Sequence, residues 1–331
     1  MPHRRPAGRL GHTRAMFATL LGGLPRPHGD SGDPDSLDEA IREAIAAQDA
    51  AGLEPLTDGR LRWGDLLAPL RDLGGASLPA WQAPLTVADW SFAAASTTRA
   101  VKQALPGPYT AGRRLEGSIG DRRRRSLTLA LADMLHAEVL ALAAAGCPLV
   151  EIDEPDAVTI GDSESERRLF REAHARLADG VEGTHLSLAL TGGNVDTAGD
   201  ATIFAAPYAS YALDLIAGPD NWRLVADAPG DRGIVCGALS PAADSNDGPE
   251  LLVWAAHYAA STGGRGLARV GLANSSGLEA LDWAVAQAKL VRLGEAARIA
   301  GAESSSEMAA ALDPRAANPR SAALGRFTAR R

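Results

Sequence analysis

Cysteine is almost absent from the sequence, and this excludes two kinds of protein. The 331 residues include two cysteines, Cys147 and Cys236, which lie far apart in the chain and have no partner in a CxxC pattern. A disulfide framework and a cysteine-rich zinc site are therefore both excluded. Any metal ion would need other ligands.

Basic residues and long apolar runs are also scarce. Lysine and arginine together number 33 against 41 acidic residues, and the resulting net charge of -8 argues against a nucleic-acid partner. We find no apolar stretch of the length that crosses a membrane. The sequence therefore predicts a soluble, cytoplasmic protein whose partner is a small molecule rather than nucleic acid or a membrane.

Hydrophobic residues make up 46% of the chain, which is enough for the core of one large α/β barrel or of two domains. The apolar stretch 149–152 follows a helical run that ends at Gly146, and it stops at Asp153, Glu154 and Pro155. This pattern predicts a buried strand with carboxylates at its C-terminal end, where ligands bind in parallel α/β folds. The alternative is that both acids only cap the next turn.

Strand patterns and helix patterns alternate eight times along the chain. The predicted strands are 17–24, 54–57, 101–105, 149–152, 184–190, 212–216, 233–239 and 268–273. Each is followed by a helix or a long crossover, which predicts one (β/α)8 TIM barrel over residues 17–300. Alternation of apolar and polar residues at 85–92 predicts a hairpin inserted at one rim. Residues 1–16 and 301–331 are predicted to be a disordered N-terminal segment and a mobile C-terminal tail.

Several motifs resemble those of cobalamin-independent methionine synthase. The run Ile152-Asp153-Glu154-Pro155 resembles the strand-four signature of that family, and further segments agree in order and spacing: 21–27, 52–59, 105–110, 184–185, 239–241 and 274–278. The resemblance implies a barrel with its site at the C-terminal ends of the strands, in a superfamily that includes uroporphyrinogen decarboxylase. It also implies methyl transfer from 5-methyltetrahydrofolate to homocysteine, with zinc that activates the thiol.

Most zinc ligands implied by the resemblance are replaced in this chain. His185 stands at the family histidine, but Ser187 and Ser276 stand at the two cysteines and Ile216 stands at the glutamate. A hydroxyl is far too basic to replace a thiolate on zinc. We therefore expect no certain cofactor, and zinc only if the ancestral activity is retained.

The substrate positions implied by the resemblance differ as well. The amino-acid-binding aspartate is Asp153, whereas Arg60 stands at a family glutamate and Arg114 at the tryptophan that would stack on the pterin. The predicted substrate-binding set is completed by Glu154, Thr110 and His185. Arginines in place of an acid and an aromatic ring indicate a pocket for a more anionic ligand.

Three functions are compatible with these residues. The first is a methyl- or alkyl-transfer enzyme that acts on a small anionic or folate-like substrate without the family zinc. The others are a zinc-dependent 5-methyltetrahydrofolate–homocysteine methyltransferase and a non-catalytic ligand-binding barrel. No catalytic residue is assigned, and the sequence leaves open whether the chain is an enzyme. The barrel prediction places Asp58, Asp153, His185 and Asn274 near one mouth.

Overall fold

The computed structural model describes residues 16–27, 34–73, 78–115, 121–245, 248–302 and 307–308. The strands are β1 (Phe17–Ala18), β2 (Gln103–Pro106), β3 (Leu149–Asp153), β4 (His185–Leu190), β5 (Ser210–Asp214), β6 (Gly233–Leu239) and β7 (Val270–Asn274). The α-helices are α1 (Pro34–Ala50), α2 (Val87–Ala95), α3 (Pro108–Leu115), α4 (Asp121–Ala145), α5 (Glu164–Ala178), α6 (Asp200–Ile203), α7 (Trp222–Asp227), α8 (Pro249–Ser261) and α9 (Trp283–Ala300). The predicted N-terminal segment and C-terminal tail lie almost entirely outside the described residues.

The strands form one parallel sheet in the order β1-β7-β6-β5-β4-β3-β2. Residues 54–57 lie between the two edge strands. The Glu54 amide donates to the Ala18 carbonyl at 2.8 Å, and on the other side the Lys102 amide donates to the Leu56 carbonyl at 2.9 Å. Pro55 has no N–H to donate, and this segment forms a single bridge, from Leu56 to Val101 just before β2, rather than a ladder. The predicted parallel α/β architecture is confirmed, with a curled seven-stranded sheet whose edges residues 54–57 connect.

The predicted rim hairpin at 85–92 is wrong, because this segment leads into helix α2. Trp90 and Ala93, three residues apart, are both buried on one helical face, and the Trp90 indole donates to the Val101 carbonyl at 3.0 Å. The buried Glu138 carboxylate accepts hydrogen bonds from the Leu85 and Thr86 amides at 2.8 Å each. Tertiary contacts therefore decide the structure of a segment whose short apolar pattern fits either a strand or a helix.

The interior of the curled sheet has an apolar part and a polar part. Small and medium-sized side chains from five strands or their extensions meet there, namely Leu21, Ala189, Ala212, Val235 and Ala273. Because side chains alternate along a strand, Ser187 and Ser210 face the same interior from β4 and β5. The buried ion pair of Lys102 and Glu151 lies in this polar part, with 2.7 Å between Nζ and Oε2.

Helix α4 contains a stretch, Arg123–Ala145, that is long and apolar enough to cross a membrane by length and composition alone. This stretch was not predicted from the sequence. Helix α4 packs against α3 and α5 on the outside of the sheet, and 44% of its most apolar window is buried. Its fully buried Glu138 also accepts a hydrogen bond from the Trp81 indole at 2.9 Å. Packing in the domain therefore buries part of the apolar surface of α4.

Candidate functional site

A cavity of about 610 Å³ opens at the C-terminal ends of the strands. It is lined by the loop after β1, the turn after residue 57, the end of α3, the end of β3 and the loop after β7. The charged lining residues are Arg26, Arg60, Asp65, Arg114, Asp153 and Glu279, and Trp63 and Leu66 are among the apolar ones. Asp153, Arg60 and Arg114 thus share one cavity, which we call the mouth cavity.

Arg60 reaches across the floor of the mouth cavity and forms an ion pair with Asp153. The side chains are 14% and 7% exposed, so water screens the pair only weakly. Arg60 follows Gly59 in a tight turn and has a φ of 55°. The Asp58 carboxylate stabilises this turn by accepting a hydrogen bond from the Arg60 amide at 2.9 Å. The turn therefore fixes the direction in which the guanidinium points.

Burial governs the protonation behaviour around this ion pair. Burial lowers the pKa of the Arg60 guanidinium, and the nearby carboxylates of Glu279, Glu151 and Asp58 oppose that effect. Burial raises the pKa of Asp58, whose Oδ2 has no hydrogen-bond partner. The cavity floor therefore holds charges in a poorly solvated environment, where a ligand charge interacts more strongly than in water.

Arg114 lies at the rim of the mouth cavity. Its Nε is 3.1 Å from both carboxylate oxygens of Asp156, and its Nη2 donates to Oδ1 at 2.6 Å. The Arg114 side chain is 43% exposed, so the free-energy cost of replacing Asp156 with an anion from solution is small. The Asp156 amide in turn donates to the Thr110 hydroxyl at 3.1 Å. Asp156 therefore connects Arg114 to the start of α3.

Glu154 and Thr110 are not placed to bind a ligand, and their predicted role in the substrate site is wrong. Both are fully buried. The Glu154 carboxylate accepts hydrogen bonds from the Tyr109 and Thr110 amides at 2.8 and 2.7 Å, at the positive end of helix α3. His174 Nε2 lies 3.1 Å from the same carboxylate. Glu154 therefore fixes α3 against the sheet.

His185 lies at the opposite end of the sheet from Asp153, so its predicted position at the mouth is wrong. His185 is the first residue of β4 and pairs with Leu149, whereas Asp153 pairs with Ala189. Four residues of strand separate the two levels, or roughly 13 Å at about 3.3 Å per residue. Ala189 and Thr191 lie at the mouth end of this strand instead, four residues after His185 and Ser187 respectively.

The other predicted mouth residues are placed correctly, although Asn274 has a structural role. Asn274 ends β7 and is fully buried. Its side-chain amide donates to the Leu21 carbonyl at 2.6 Å, and its Oδ1 accepts from the Leu21 amide at 3.0 Å. Asn274 therefore holds the loop after β1 against β7, where that loop lines the cavity.

The residues present do not fit the family zinc. Ser187 is buried inside the sheet and accepts a hydrogen bond from Ser210 at 2.9 Å. Ile216 is 36% exposed after β5 and has no ligand atom, and a serine hydroxyl at position 276 cannot replace a thiolate. Within the described part of the chain, no three His, Cys, Asp or Glu side chains are grouped so that they could hold a metal ion.

Acid is expected to destabilise the fold through His185. Burial lowers the pKa of His185 below its ordinary value of 6.5. Between pH 6.5 and the lower pKa of the folded state, His185 is protonated in the unfolded chain but neutral in the folded chain. The free energy of unfolding therefore falls as the pH falls through this range. His185→Gln cannot titrate but retains a hydrogen-bonding group for Ser210, which lies 2.8 Å from His185 Nε2.

Urea unfolding at about pH 7.5 and about pH 5.5 brackets the range in which histidine titrates. The variant should lose less stability between these conditions than the wild type. An equal loss in both proteins would show that His185 does not contribute.

Sequence reasoning missed three residues that line the mouth cavity, Arg26, Trp63 and Glu279. All three lie in loops and carry no periodic signal. The Arg26 guanidinium donates to the Leu61 carbonyl at 3.3 Å, and Glu279 accepts from the Gly23 amide at 2.7 Å. These contacts bring three separate loops together at one edge of the cavity.

Sequence and structure comparisons agree with this architecture. Residues 79–197 match the family model described as the catalytic domain of cobalamin-independent synthase. A B12-independent methionine synthase from Shewanella sp. W3-18-1, solved in complex with selenomethionine, superposes with a TM-score of 0.69 at 18% identity, covering 86% of this chain and 97% of that one. A methyltransferase from Methanosarcina mazei superposes with a TM-score of 0.64 at 13% identity, covering 86% and 93%. No curated protein matches the chain.

The two structural matches show the fold, and the match over residues 79–197 shows a resemblance to the catalytic domain over about a third of the chain. That matched stretch contains α2 to β4, and hence Arg114 and the strand that ends at Asp153. Over residues 79–197 the chain resembles the catalytic domain of cobalamin-independent synthase.

Proposed function

We propose that the mouth cavity binds a small molecule with carboxylate or phosphate groups, and that the chain transfers a methyl or alkyl group without the family zinc. The observation that carries this proposal is the presence of Arg26, Arg60 and Arg114 around one cavity. Arginine presents a planar fork of donors that matches carboxylate and phosphate oxygens. Such a lining suits an anionic ligand.

The acidic lining residues do not cancel this preference, because each already accepts a hydrogen bond from the protein. Asp153 is paired with Arg60. Asp65 accepts from the Leu67 amide at 2.7 Å, and Glu279 accepts from the Gly23 amide at 2.7 Å. An ammonium group that enters the cavity would have to compete with these donors for the carboxylates.

The mouth cavity also offers an aromatic surface. Trp63 lines it beside Leu61 and Leu66. The face of an indole ring stacks on flat heterocycles and contributes about 0.5–1.5 kcal/mol beyond burial. A folate-like molecule, with a flat ring and a carboxylate tail, has both features that this lining favours.

The reaction class comes from the family, and the chain's own residues supply positioning rather than a nucleophile. Burial raises the pKa of Cys147 and of Cys236 to about 12, so neither thiol provides a thiolate. The attacking atom would therefore belong to a second substrate. The arginines and Trp63 would hold donor and acceptor in line, which is how an enzyme accelerates a transfer between two bound molecules.

A thermal-shift screen tests the proposed ligand class. Folates, simple dicarboxylates and inorganic phosphate should raise the melting temperature of the full-length protein, and Arg114→Ala should reduce that shift. Arg223→Ala is the matched control, because Arg223 is 68% exposed on α7 and pairs with Asp196 outside the cavity. Stabilisation by homocysteine alone, unchanged in Arg114→Ala, would contradict the proposal.

A second candidate is a barrel that binds its ligand without chemistry. It is favoured by the absence of any cysteine or histidine among the described residues that line the mouth cavity. Incubation with isotope-labelled methyl donors and mass spectrometry of the products distinguishes the two candidates. Binding without label transfer supports the second candidate, and transfer that requires added zinc supports the zinc-dependent synthase instead.

A further inference from the structure

The orientation of Trp63 in the mouth cavity is set by a residue outside the cavity. The Trp63 indole donates a hydrogen bond to the carboxylate of Asp89, in the first turn of α2. Trp63 lines the mouth cavity, whereas Asp89 lies outside the described lining. The N–H edge of the ring therefore points away from the cavity towards α2, and a ligand meets the apolar remainder of the ring.

Helix α2 holds Asp89 in a fixed position. The N-cap residue of this helix, Thr86, donates through its amide and its hydroxyl to Glu138 at 2.8 and 2.9 Å. One residue after Asp89, the buried Trp90 donates to the Val101 carbonyl at 3.0 Å. These contacts join α2 to its neighbours on both sides of Asp89 in the sequence, so the backbone that carries the carboxylate is fixed.

Arg62 connects the same carboxylate to the turn that carries Trp63. Arg62 Nε lies 3.3 Å from Asp89 Oδ1, and the guanidinium lies over the Phe92 ring, 5.0 Å from its centroid. Asp89 and Phe92 are three residues apart and so share one face of α2. Burial raises the pKa of Asp89, and the Arg62 guanidinium and the Trp63 hydrogen bond oppose that effect. One face of α2 thus contacts Arg62 and Trp63 together.

The charged part and the aromatic part of the mouth cavity belong to one turn but have different carboxylate partners. The Trp63 amide donates to the Arg60 carbonyl at 2.9 Å, and both side chains line the cavity. Arg60 is held by Asp58, which accepts from its amide, and by Asp153, which pairs with its guanidinium. Loss of the Asp89 carboxylate is therefore expected to change the orientation of the ring and to leave the Arg60 contacts intact.

We propose that Asp89 is a positioning residue that determines specificity for ligands with a flat ring, because it holds the Trp63 indole in the orientation that stacks on such a ring. This inference rests on the proposed binding of anionic ligands in the mouth cavity. It adds a second requirement, a flat aromatic or heteroaromatic ring in the same molecule. A ring that is held in one orientation before binding loses little conformational entropy when a ligand stacks on it.

Isothermal titration calorimetry with folic acid and with glutarate tests this role, because glutarate has the two carboxylates of a folate tail and no ring. Trp63→Leu should weaken folic acid binding roughly tenfold, the order that stacking on an aromatic side chain contributes. Asp89→Leu should weaken it roughly two- to tenfold, the range for one hydrogen bond. Neither variant should change the dissociation constant of glutarate. Asp89→Asn keeps an acceptor for the indole and should bind folic acid as the wild type does.

The double variant Trp63→Leu/Asp89→Leu tests whether Asp89 acts through Trp63. In that case it binds folic acid no more weakly than Trp63→Leu, whereas independent effects would multiply and overturn the proposal. Arg62 keeps Asp38 as a counter-charge at 2.5 Å when Asp89 is replaced. Glu172→Leu is the matched control, because Glu172 is 31% exposed on α5 and Asp89 is 28% exposed on α2. This control should leave both affinities unchanged.

A measurement without ligand tests the contact between Asp89 and Trp63 directly. In a ¹H–¹⁵N spectrum, the indole signal that disappears in Trp63→Leu should shift in Asp89→Leu and stay unchanged in Glu172→Leu. The absence of a shift in Asp89→Leu would overturn the contact.

The two calorimetric probes separate failure of this inference from failure of the proposed function. If Asp89→Leu weakens folic acid and glutarate equally, Asp89 has no role in ring specificity, and the proposed binding of anions stands. A wild type that binds neither compound would contradict the proposed function, and this inference with it.

Discussion

The variants Arg60→Ala and Asp153→Asn are expected to change ligand affinity in opposite directions. The two side chains form an ion pair on the floor of the mouth cavity, so an incoming anion competes with Asp153 for the guanidinium. Arg60→Ala removes a charge-assisted contact of about 1.5–3 kcal/mol, or roughly tenfold to a hundredfold in affinity. Asp153→Asn removes the competitor and should raise the affinity for the same anion.

Isothermal titration calorimetry with the anions that stabilise the wild type measures both effects. Arg223→Ala, outside the cavity, should leave the dissociation constant unchanged. Thermal unfolding without ligand comes first, because each variant also breaks a pair that is mostly buried. If Arg60→Ala and Asp153→Asn weaken binding equally, the pair only supports the fold and the ligand binds elsewhere.

Local signals were sufficient to predict most of the architecture. Strand β6 was predicted at 233–239 and was found with those bounds, because Gly233 marks its start and Pro241 follows closely after its end. Asp153 and Arg60 were both assigned to the substrate site through the family resemblance, but their ion pair was not predicted.

The site predictions failed where they depended on information that a single sequence does not contain. The strand was predicted at 184–190 and found at His185–Leu190, so His185 was placed at the mouth by the motif alignment and not by its position in the strand. Glu154 looks like a free carboxylate in sequence, yet the amides at the start of α3 already bind it. Both errors came from aligning a motif without knowing which backbone groups its side chains contact.

The ion pair of Lys102 and Glu151 was also missed, and it carries the largest expected effect on stability. The side chains are 1% and 3% exposed, with 2.7 Å between Nζ and Oε2. Burial lowers the pKa of Lys102, and the Glu151 carboxylate opposes that effect. Oε1 of Glu151 has no hydrogen-bond partner, so Lys102 is the main stabilising contact of this carboxylate.

Lys102→Met is expected to lower the free energy of unfolding by about 3–5 kcal/mol, because it leaves the Glu151 carboxylate buried without a counter-charge. The double variant Lys102→Met/Glu151→Leu removes both charges and should recover most of that loss, since buried ion pairs are often no more stable than apolar residues of similar volume.

Arg99→Met is the control for a pair exposed to water. Arg99 and Asp49 are 48% and 41% exposed, so this change should cost less than about 1 kcal/mol. Urea unfolding of the four proteins measures the three differences. A double variant as unstable as Lys102→Met would show that Lys102 acts through packing rather than through its charge.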